Sequence, residues 1–262
     1  MYMKITISDK DKKEKFVAIF HTLKNSTIIV NVVFNLDNLR IQGLDKSHIC
    51  MYDLTLQSLW FNEYDVEKIT SISFDTSTFY SVITSELESN IIIYYHENDC
   101  DNIHIDLLND ASAKVKTNKF NKYFKIPLMD YDYEMMYIPN TEYDAEFSVS
   151  AKIICDIIYQ MMTFGNDINI KCSEEKIDLI TNGIVGEMLV NIPIEELSEY
   201  SIIENEVIDL TYSINYIHKM CLTNKLSPEI FFYISNQSPM KIQYHLDNNS
   251  FMTFFIAPKI TD

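Results

Sequence analysis

Apolar and polar residues alternate through MKITI (residues 3–7), the period-2 pattern of a strand with one covered face, and from Asp9 the period lengthens to that of a helix. Phe16, Ile19, Phe20 and Leu23 fall on one side of that helix, and Glu14, Lys15, Ala18 and His21 on the other. TIIVNVVF (27–34), DNLRIQGLD (37–45) and HICMYDLTL (48–56) return to strand period, with turns at 35–38 and 45–47. Phe79, Val82 and Ile83 mark a second short helix. IIIYY (91–95) and IHIDLL (103–108) flank ENDCDN (97–102), whose Asn and Asp residues predict a hairpin turn, and the Lys-rich KVKTNKFNKYFKI (114–126) reads as a further strand.

The second half repeats the order. FSVS (147–150) leads into a helix with Ile154, Ile157, Ile158 and Met161 inward and Lys152, Asp156 and Tyr159 opposite, ending at Gly165. INIKC (168–172), KIDLI (176–180) and GEMLVNI (186–192) follow as strands. In a fourth helix Ile214, Ile217 and Cys221 face inward, with Tyr216, Lys219 and Thr223 outward. EIFFYIS (229–235), MKIQYHL (240–246) and FMTFFIAPKI (251–260) close the chain, the last with a Pro that a central strand cannot carry.

This is an internal duplication with about 130 residues per copy. Between the copies lies PLMDYDYEMMYIPNTEY (127–143), where two prolines fix φ and Asp130, Asp132 and Glu134 alternate with Tyr131 and Tyr133. The segment reads as an extended acidic and aromatic connector. The predicted partition is therefore a domain over 1–126, a connector over 127–143 and a domain over 144–262. The fold class is α+β: two topologically similar domains of antiparallel sheet, each covered on one side by two short amphipathic helices.

With 47% hydrophobic residues in 262, the chain can fill one large core or two ordinary ones. Its apolar runs fall far short of the roughly 18 residues a membrane span needs, so no membrane partner is expected. MYMKITISDK has no signal-peptide core, which predicts that the chain stays in the compartment where it is made. Five cysteines without CxxC spacing predict reduced thiols. A net charge of −17 disfavours nucleic acid in general, so any contact with it requires a local positive surface. The predicted helices carry somewhat more Lys than acid, which leaves the acidic surplus elsewhere.

Reaction chemistry is thin. Asp45, Ser47 and His48 share one tight turn and cannot line up as orienter, nucleophile and base. His96, Cys100 and His104, with Asp99 and Asp101 beside them, invite a metal, but turn-forming residues at a hairpin tip account for the same pattern. Only four glycines are present, with no phosphate-cradling loop, no GxSxG and no HExxH. No enzymatic activity, cofactor or metal is expected, and Trp60 reads as ordinary packing.

LRIQGLDKSHICMYDL (39–54), LMDYDYEMMYIPNTEY (128–143) and the terminal APKI (257–260) resemble the proliferating cell nuclear antigen family of DNA sliding clamps, in order and spacing across essentially the whole chain. The resemblance implies the DNA clamp fold: a homotrimeric ring with sheets outside and four helices per chain lining a hole for duplex DNA. Such a ring is a processivity factor in replication and repair that encircles DNA without reading sequence. It recruits DNA polymerase, clamp loader and other proteins bearing a short docking peptide. By position, the peptide pocket under the connector would be formed by Leu44, His48, Ile49, Met51, Met136, Ile138, Tyr143, Pro239, Phe255, Ala257, Pro258 and Ile260. DNA would meet Lys12, Lys13, Lys15, Lys24, Lys152 and Lys219. The subunit edges would be 119–126, with Lys119, Lys122 and Lys125, and 186–192, with Glu187.

The predicted lining is nearly neutral, since Lys15, Lys152 and Lys219 are offset by Glu14, Asp156 and Glu88, and Ser81 and Thr84 stand where family members usually carry lysines. Weak, salt-sensitive DNA contact follows. Two other readings share the fold: a checkpoint-type subunit of a heterotrimer, and a scaffold or transcription factor with little DNA contact. The resemblance places the protein in a nucleus, or at a cytoplasmic replication site if a virus encodes it.

Overall fold

Asp9 starts the first helix by accepting a hydrogen bond from the Lys12 amide at 3.0 Å, and the chain leaves it at Thr27 in extended geometry. In the computed structural model, which describes residues 3–85, 89–109, 120–221 and 224–259, this helix belongs to the first of two compact units. Unit 1 takes in residues 1–43, 53–136 and 246–251. Unit 2 takes in 44–52, 137–245 and 252–262.

Unit 1 runs β1 (Met3–Ile7), α1 (Lys10–Ser26), β2 (Ile29–Phe34), β3 (Asn38–Leu44), β4 (Cys50–Gln57), β5 (Glu63–Val66), β6 (Thr70–Asp75), α2 (Thr76–Ile83), β7 (Asn90–His96), β8 (Asp99–Leu108) and β9 (Lys122–Pro127). The last residue of β3 and the first three of β4 fall in unit 2. Its strands are ordered β5-β1-β7-β8-β9 in one sheet and β4-β3-β2-β6 in another run. Unit 2 repeats this with β10 (Ala145–Ser150), α3 (Ala151–Met161), β11 (Asp167–Cys172), β12 (Lys176–Gly183), β13 (Gly186–Pro193), β14 (Glu199–Ile202), β15 (Ile208–Ser213), α4 (Ile214–Met220), β16 (Glu229–Ser235), β17 (Ser238–Leu246) and β18 (Ser250–Ile256), of which the last residue of β17 and the first two of β18 fall in unit 1. The orders are β14-β10-β16-β17-β18 and β13-β12-β11-β15, element for element those of unit 1. The chain is α+β with two like domains, and every pairing with a described register is antiparallel.

Apolar side chains of each helix pair fill the cores. In unit 1, Phe16 and Phe20 of α1 meet Phe74, Phe79 and Trp60 with ring centroids 4.4–6.5 Å apart, a density of aromatic contact that ties both helices to the sheet. In unit 2, Ile154, Ile158 and Met161 of α3 and Ile214, Ile217 and Met220 of α4 are buried. Gly165 and Gly183 let the end of α3 approach the β12–β13 hairpin: a Cβ on Gly183 would stand 2.1 Å from the Phe164 carbonyl oxygen.

Three expectations change. Ala18, read as outward, is buried because α1 packs along α2 as well as on its sheet, so its covered arc is wider than one stripe. The turn predicted over 97–102 is only Glu97–Asn98, since Asp99 already pairs with His96 in the ladder. Strands β5 and β14 were not predicted, for EYDV and EYSI lie at sheet ends, leave alternate residues exposed and cover none fully. Residues 110–119, and with them the first six residues of the predicted 114–126 strand, lie outside the described residues, as do Glu88 and Thr223.

Candidate peptide pocket and nucleic-acid face

The loop after β3 is organised by one buried carboxylate. Asp45 accepts hydrogen bonds from the backbone amides of Ser47 (3.1 Å), Ile49 (2.9 Å) and Cys50 (2.9 Å), and its own amide donates to the Cys50 carbonyl at 2.8 Å. A carboxylate that ties down three amides fixes the backbone on either side. Leu44 and Ile49 are thereby held with 37% and 45% of their surface exposed, a costly display of apolar area unless something covers it.

They open one wall of a pocket of about 270 Å³ within unit 2. Met51 continues that wall. Tyr137, Ile138, Pro139, Thr141 and Tyr143 come from the connector, Ser238 and Pro239 from the start of β17, and Phe255 and Ala257 from the end of β18. Backbone pairing holds the connector up to this point: Leu128 and Met129 donate to the carbonyls of Asp101 and Ser73, each at 2.8 Å. The Gln42 side chain bonds both the amide (2.7 Å) and the carbonyl (3.1 Å) of Met136, as a strand would. Past Ala257 the tail is anchored by the Lys259 amide on the Thr211 carbonyl at 2.7 Å and by its ammonium on Asp167. The surface so framed is apolar, with few polar groups, which suits burial of a partner's apolar and aromatic anchors.

Of the residues predicted for this pocket, Leu44, Ile49, Met51, Ile138, Tyr143, Pro239, Phe255 and Ala257 come together. His48, Met136 and Pro258 do not line it, and Ile260 lies outside the described residues. His48 sits at φ 57°, a left-handed residue whose exposed side chain leaves the wall to Ile49. Met136 belongs to unit 1, where Gln42 holds its backbone. Sequence reasoning missed Tyr137, Pro139, Thr141 and Ser238. Tyr137, 88% exposed, was legible as the large aromatic between the two connector anchors.

The predicted basic residues have different surroundings. Lys13 is 5% exposed and donates its ammonium to the Ser89 carbonyl at 3.2 Å, and burial lowers its pKa. Lys15 bridges Asp11 and Asp247, each at 2.9 Å. Lys24 stands 3.8 Å over the Tyr80 ring, and Lys12 6.0 Å from the Trp60 ring centroid. In unit 2, Lys152 and Lys219 are exposed, Lys219 lying 5.2 Å from Tyr216. Each helix pair also carries a Tyr–His contact, His21–Tyr80 at 5.5 Å in unit 1 and Tyr159–His218 at 6.0 Å in unit 2.

Both predicted subunit edges are end strands: among the described residues β9 pairs only with β8, and β13 only with β12. Lys122 donates to the Ser85 carbonyl at 3.0 Å and Lys125 binds Asp99 at 2.6 Å, within unit 1. Lys119 lies outside the described residues, and Glu187 is exposed on β13. The same edges present apolar side chains that charge-based reading overlooked, Phe120 and Tyr123 at the first and Leu189, Ile184 and Val185 at the second.

At the hairpin tip His104 binds Asp99 at 3.1 Å and stacks on Tyr94, and the Cys100 thiol donates to the Glu97 carbonyl at 3.1 Å. Among the described residues no three His, Cys, Asp or Glu side chains are placed to hold a metal, and no helix is long and apolar enough to cross a membrane.

Family models of proliferating cell nuclear antigen match twice, the N-terminal domain over residues 7–137 and the C-terminal domain over 137–259. A proliferating cell nuclear antigen of Chaetomium thermophilum is 24% identical over 233 residues, covering 87% of this chain and 88% of that protein. The crystal structure of PCNA from Thermococcus kodakaraensis superposes with a TM-score of 0.85 at 19% identity, covering 98% of this chain and 100% of that one.

Proposed function

Because the chain belongs to the proliferating cell nuclear antigen family of sliding clamps, we propose that it closes as a homotrimer around duplex DNA and tethers a DNA polymerase and other partners through the apolar pocket of unit 2. The observation that carries this reading is the pocket: Leu44, Ile49 and Met51 face Ile138 and Tyr143 across a cavity of about 270 Å³. Each apolar anchor a partner buries there contributes about 1.5–3 kcal/mol.

Ring closure needs two different edges per chain. End strands β9 and β13 supply them, their exposed aromatic and aliphatic residues giving the contact its apolar part, with Lys122, Lys125 and Glu187 at its rim. The domain limits at 126 and 144 belong to the same proposal, as does a role at the site of DNA replication and repair, nuclear in a eukaryotic cell. DNA would be met by Lys12, Lys24, Lys152 and Lys219, without Lys13 and with Lys15 already paired, so topology more than affinity holds the ring on.

Light scattering should give about three chains per particle. A peptide with apolar and aromatic anchors should bind, and Ile138→Asp should abolish that binding. Polymerase stimulation should require primed DNA that a ring cannot slide off. Single chains at every concentration, together with indifference to the peptide, would overturn the proposal. The tied lysines of α1 favour one second reading, a clamp-fold scaffold with little DNA contact. Peptide binding without polymerase stimulation would select it.

A further inference from the structure

Unit 2 holds a second cavity, of about 170 Å³, on the face of β14-β10-β16 opposite the one that buries Phe147 and Val149. The register builds it from two adjacent rows. Glu146 on β10 pairs with Ser201 on β14 and Tyr233 on β16, and Ser148 pairs with Glu199 and Phe231. Partners directly opposite in a ladder point to the same face, so two carboxylates and two aromatic rings converge there. Neither the Glu146 nor the Glu199 carboxylate has a hydrogen bond or salt bridge among the described residues. Lys241, paired with Tyr233 on the same face, is the one cation among them that acts electrostatically on Glu146, which leaves the two rows a net negative charge. The Ser148 hydroxyl in the second row is buried and also lacks one.

We propose that this cavity seats a cationic side chain, the guanidinium of an arginine or the ammonium of a lysine, carried by the same peptide whose anchors fill the apolar pocket. The inference rests on the docking reading above and adds to it a charge subsite. Three observations support it. Aromatic faces attract cations through their quadrupole, and the molecule already shows this on the same ring: Lys241 of β17 stands 3.7 Å over Tyr233. The lining residues place the cavity on the β10 and β14 side of that ring. The carboxylates reach the ring too, since burial first and then Glu146 and Glu199 raise the Tyr233 pKa. Finally, the two cavities adjoin. Tyr143 lines the apolar pocket, and its ring centroid lies 5.5 Å from that of Tyr233, which lines the acidic one. A peptide anchored beside Tyr143 has a flanking residue within reach of Glu146.

The test is fluorescence anisotropy with two peptides sharing the same apolar and aromatic anchors. One carries arginine on both flanks, and the other carries citrulline, which keeps the shape and removes the charge. The arginine peptide should bind about five- to tenfold more tightly. Glu146→Gln/Glu199→Gln should erase most of that advantage, leaving citrulline-peptide affinity unchanged, and Tyr233→Leu should also erase it. Glu195→Gln/Glu196→Gln, which removes the same charge from another exposed stretch, should keep it. Equal binding of the two peptides overturns the subsite, as does an advantage that survives the Glu146 and Glu199 changes. Failure of both peptides to bind overturns the docking reading itself and the subsite with it.

Discussion

The two helix pairs occupy the same place in two copies of one topology, yet they treat their lysines differently. In unit 1, α1 and its flanks concentrate the positive charge. There Lys13 is turned inward onto Ser89, Lys15 is held by two aspartates and Lys24 lies on Tyr80. In unit 2 there are fewer lysines, and Lys152 and Lys219 remain exposed. The copy richer in lysine therefore offers less of its charge than its count suggests. Helix period identifies which face a residue is on. Neighbours from other elements decide whether its charge is available.

The largest effect should come from the poorer copy. Lys152→Gln/Lys219→Gln should lower the slope of log affinity against log salt by about 1.8 for each chain whose two lysines meet phosphate, because each lost contact contributes about 0.9. At low salt affinity for linear DNA should fall, while retention on closed circular DNA should change little. Lys13→Gln/Lys15→Gln should leave the slope nearly unchanged. Equal loss from both pairs would break the contrast between the copies. Stability should show the reverse. Lys13→Ala removes the donor from a buried carbonyl and should cost about 1–3 kcal/mol in urea unfolding, with no change in DNA binding.

The histidines sharpen the comparison through pH. Burial lowers the pKa of both His21 and His218 below the usual 6.5, and Lys24 adds to the shift at His21. A histidine whose pKa is lower in the folded chain favours its neutral form there. Its contribution to stability is full above the unfolded value and is lost as pH falls through the folded one. Thermal unfolding should therefore shift to lower temperature between pH 7.5 and 5.5, and His21→Gln/His218→Gln should flatten that shift. Over the same interval, the new charges should strengthen DNA binding in the wild type and not in the double variant.

Much of this was legible before any coordinates. Period alone placed Phe16, Phe20, Ile154 and Ile217 inward, because a residue's face depends on spacing within its own segment. The connector, its prolines and most of the pocket wall were legible for a similar reason, since Leu44, Ile49, Met51 and Ile138 sit in short motifs. What escaped depends on partners distant in sequence. Ser89 lies 76 residues from Lys13, and Asp247 lies 232 residues from Lys15. Nothing local in α1 marks either lysine as engaged. Asp45 looked like one member of a dubious catalytic turn, and its role as a three-amide staple needed the loop to be closed. The acidic cage was invisible because Glu146, Glu199 and Tyr233 meet only through register across three strands.

The smallest predicted effect separates two lysines that look alike on their helices. Both lysines stand within the roughly 6 Å over which an ammonium and a ring face attract, but Lys24 is close, at 3.8 Å over Tyr80, whereas Lys219 is 5.2 Å from Tyr216 and more exposed. Lys24→Gln should therefore destabilise the fold by about 0.5–1 kcal/mol and Lys219→Gln by less than about 0.5 kcal/mol, read from paired denaturation curves. In DNA binding the order should invert, since the cation not stacked closely on its own protein is the one that can turn to a phosphate. If Lys24→Gln weakens DNA binding as much as Lys219→Gln does, the ring of Tyr80 does not hold its lysine back. The contrast between the copies would then reduce to Lys13 and Lys15.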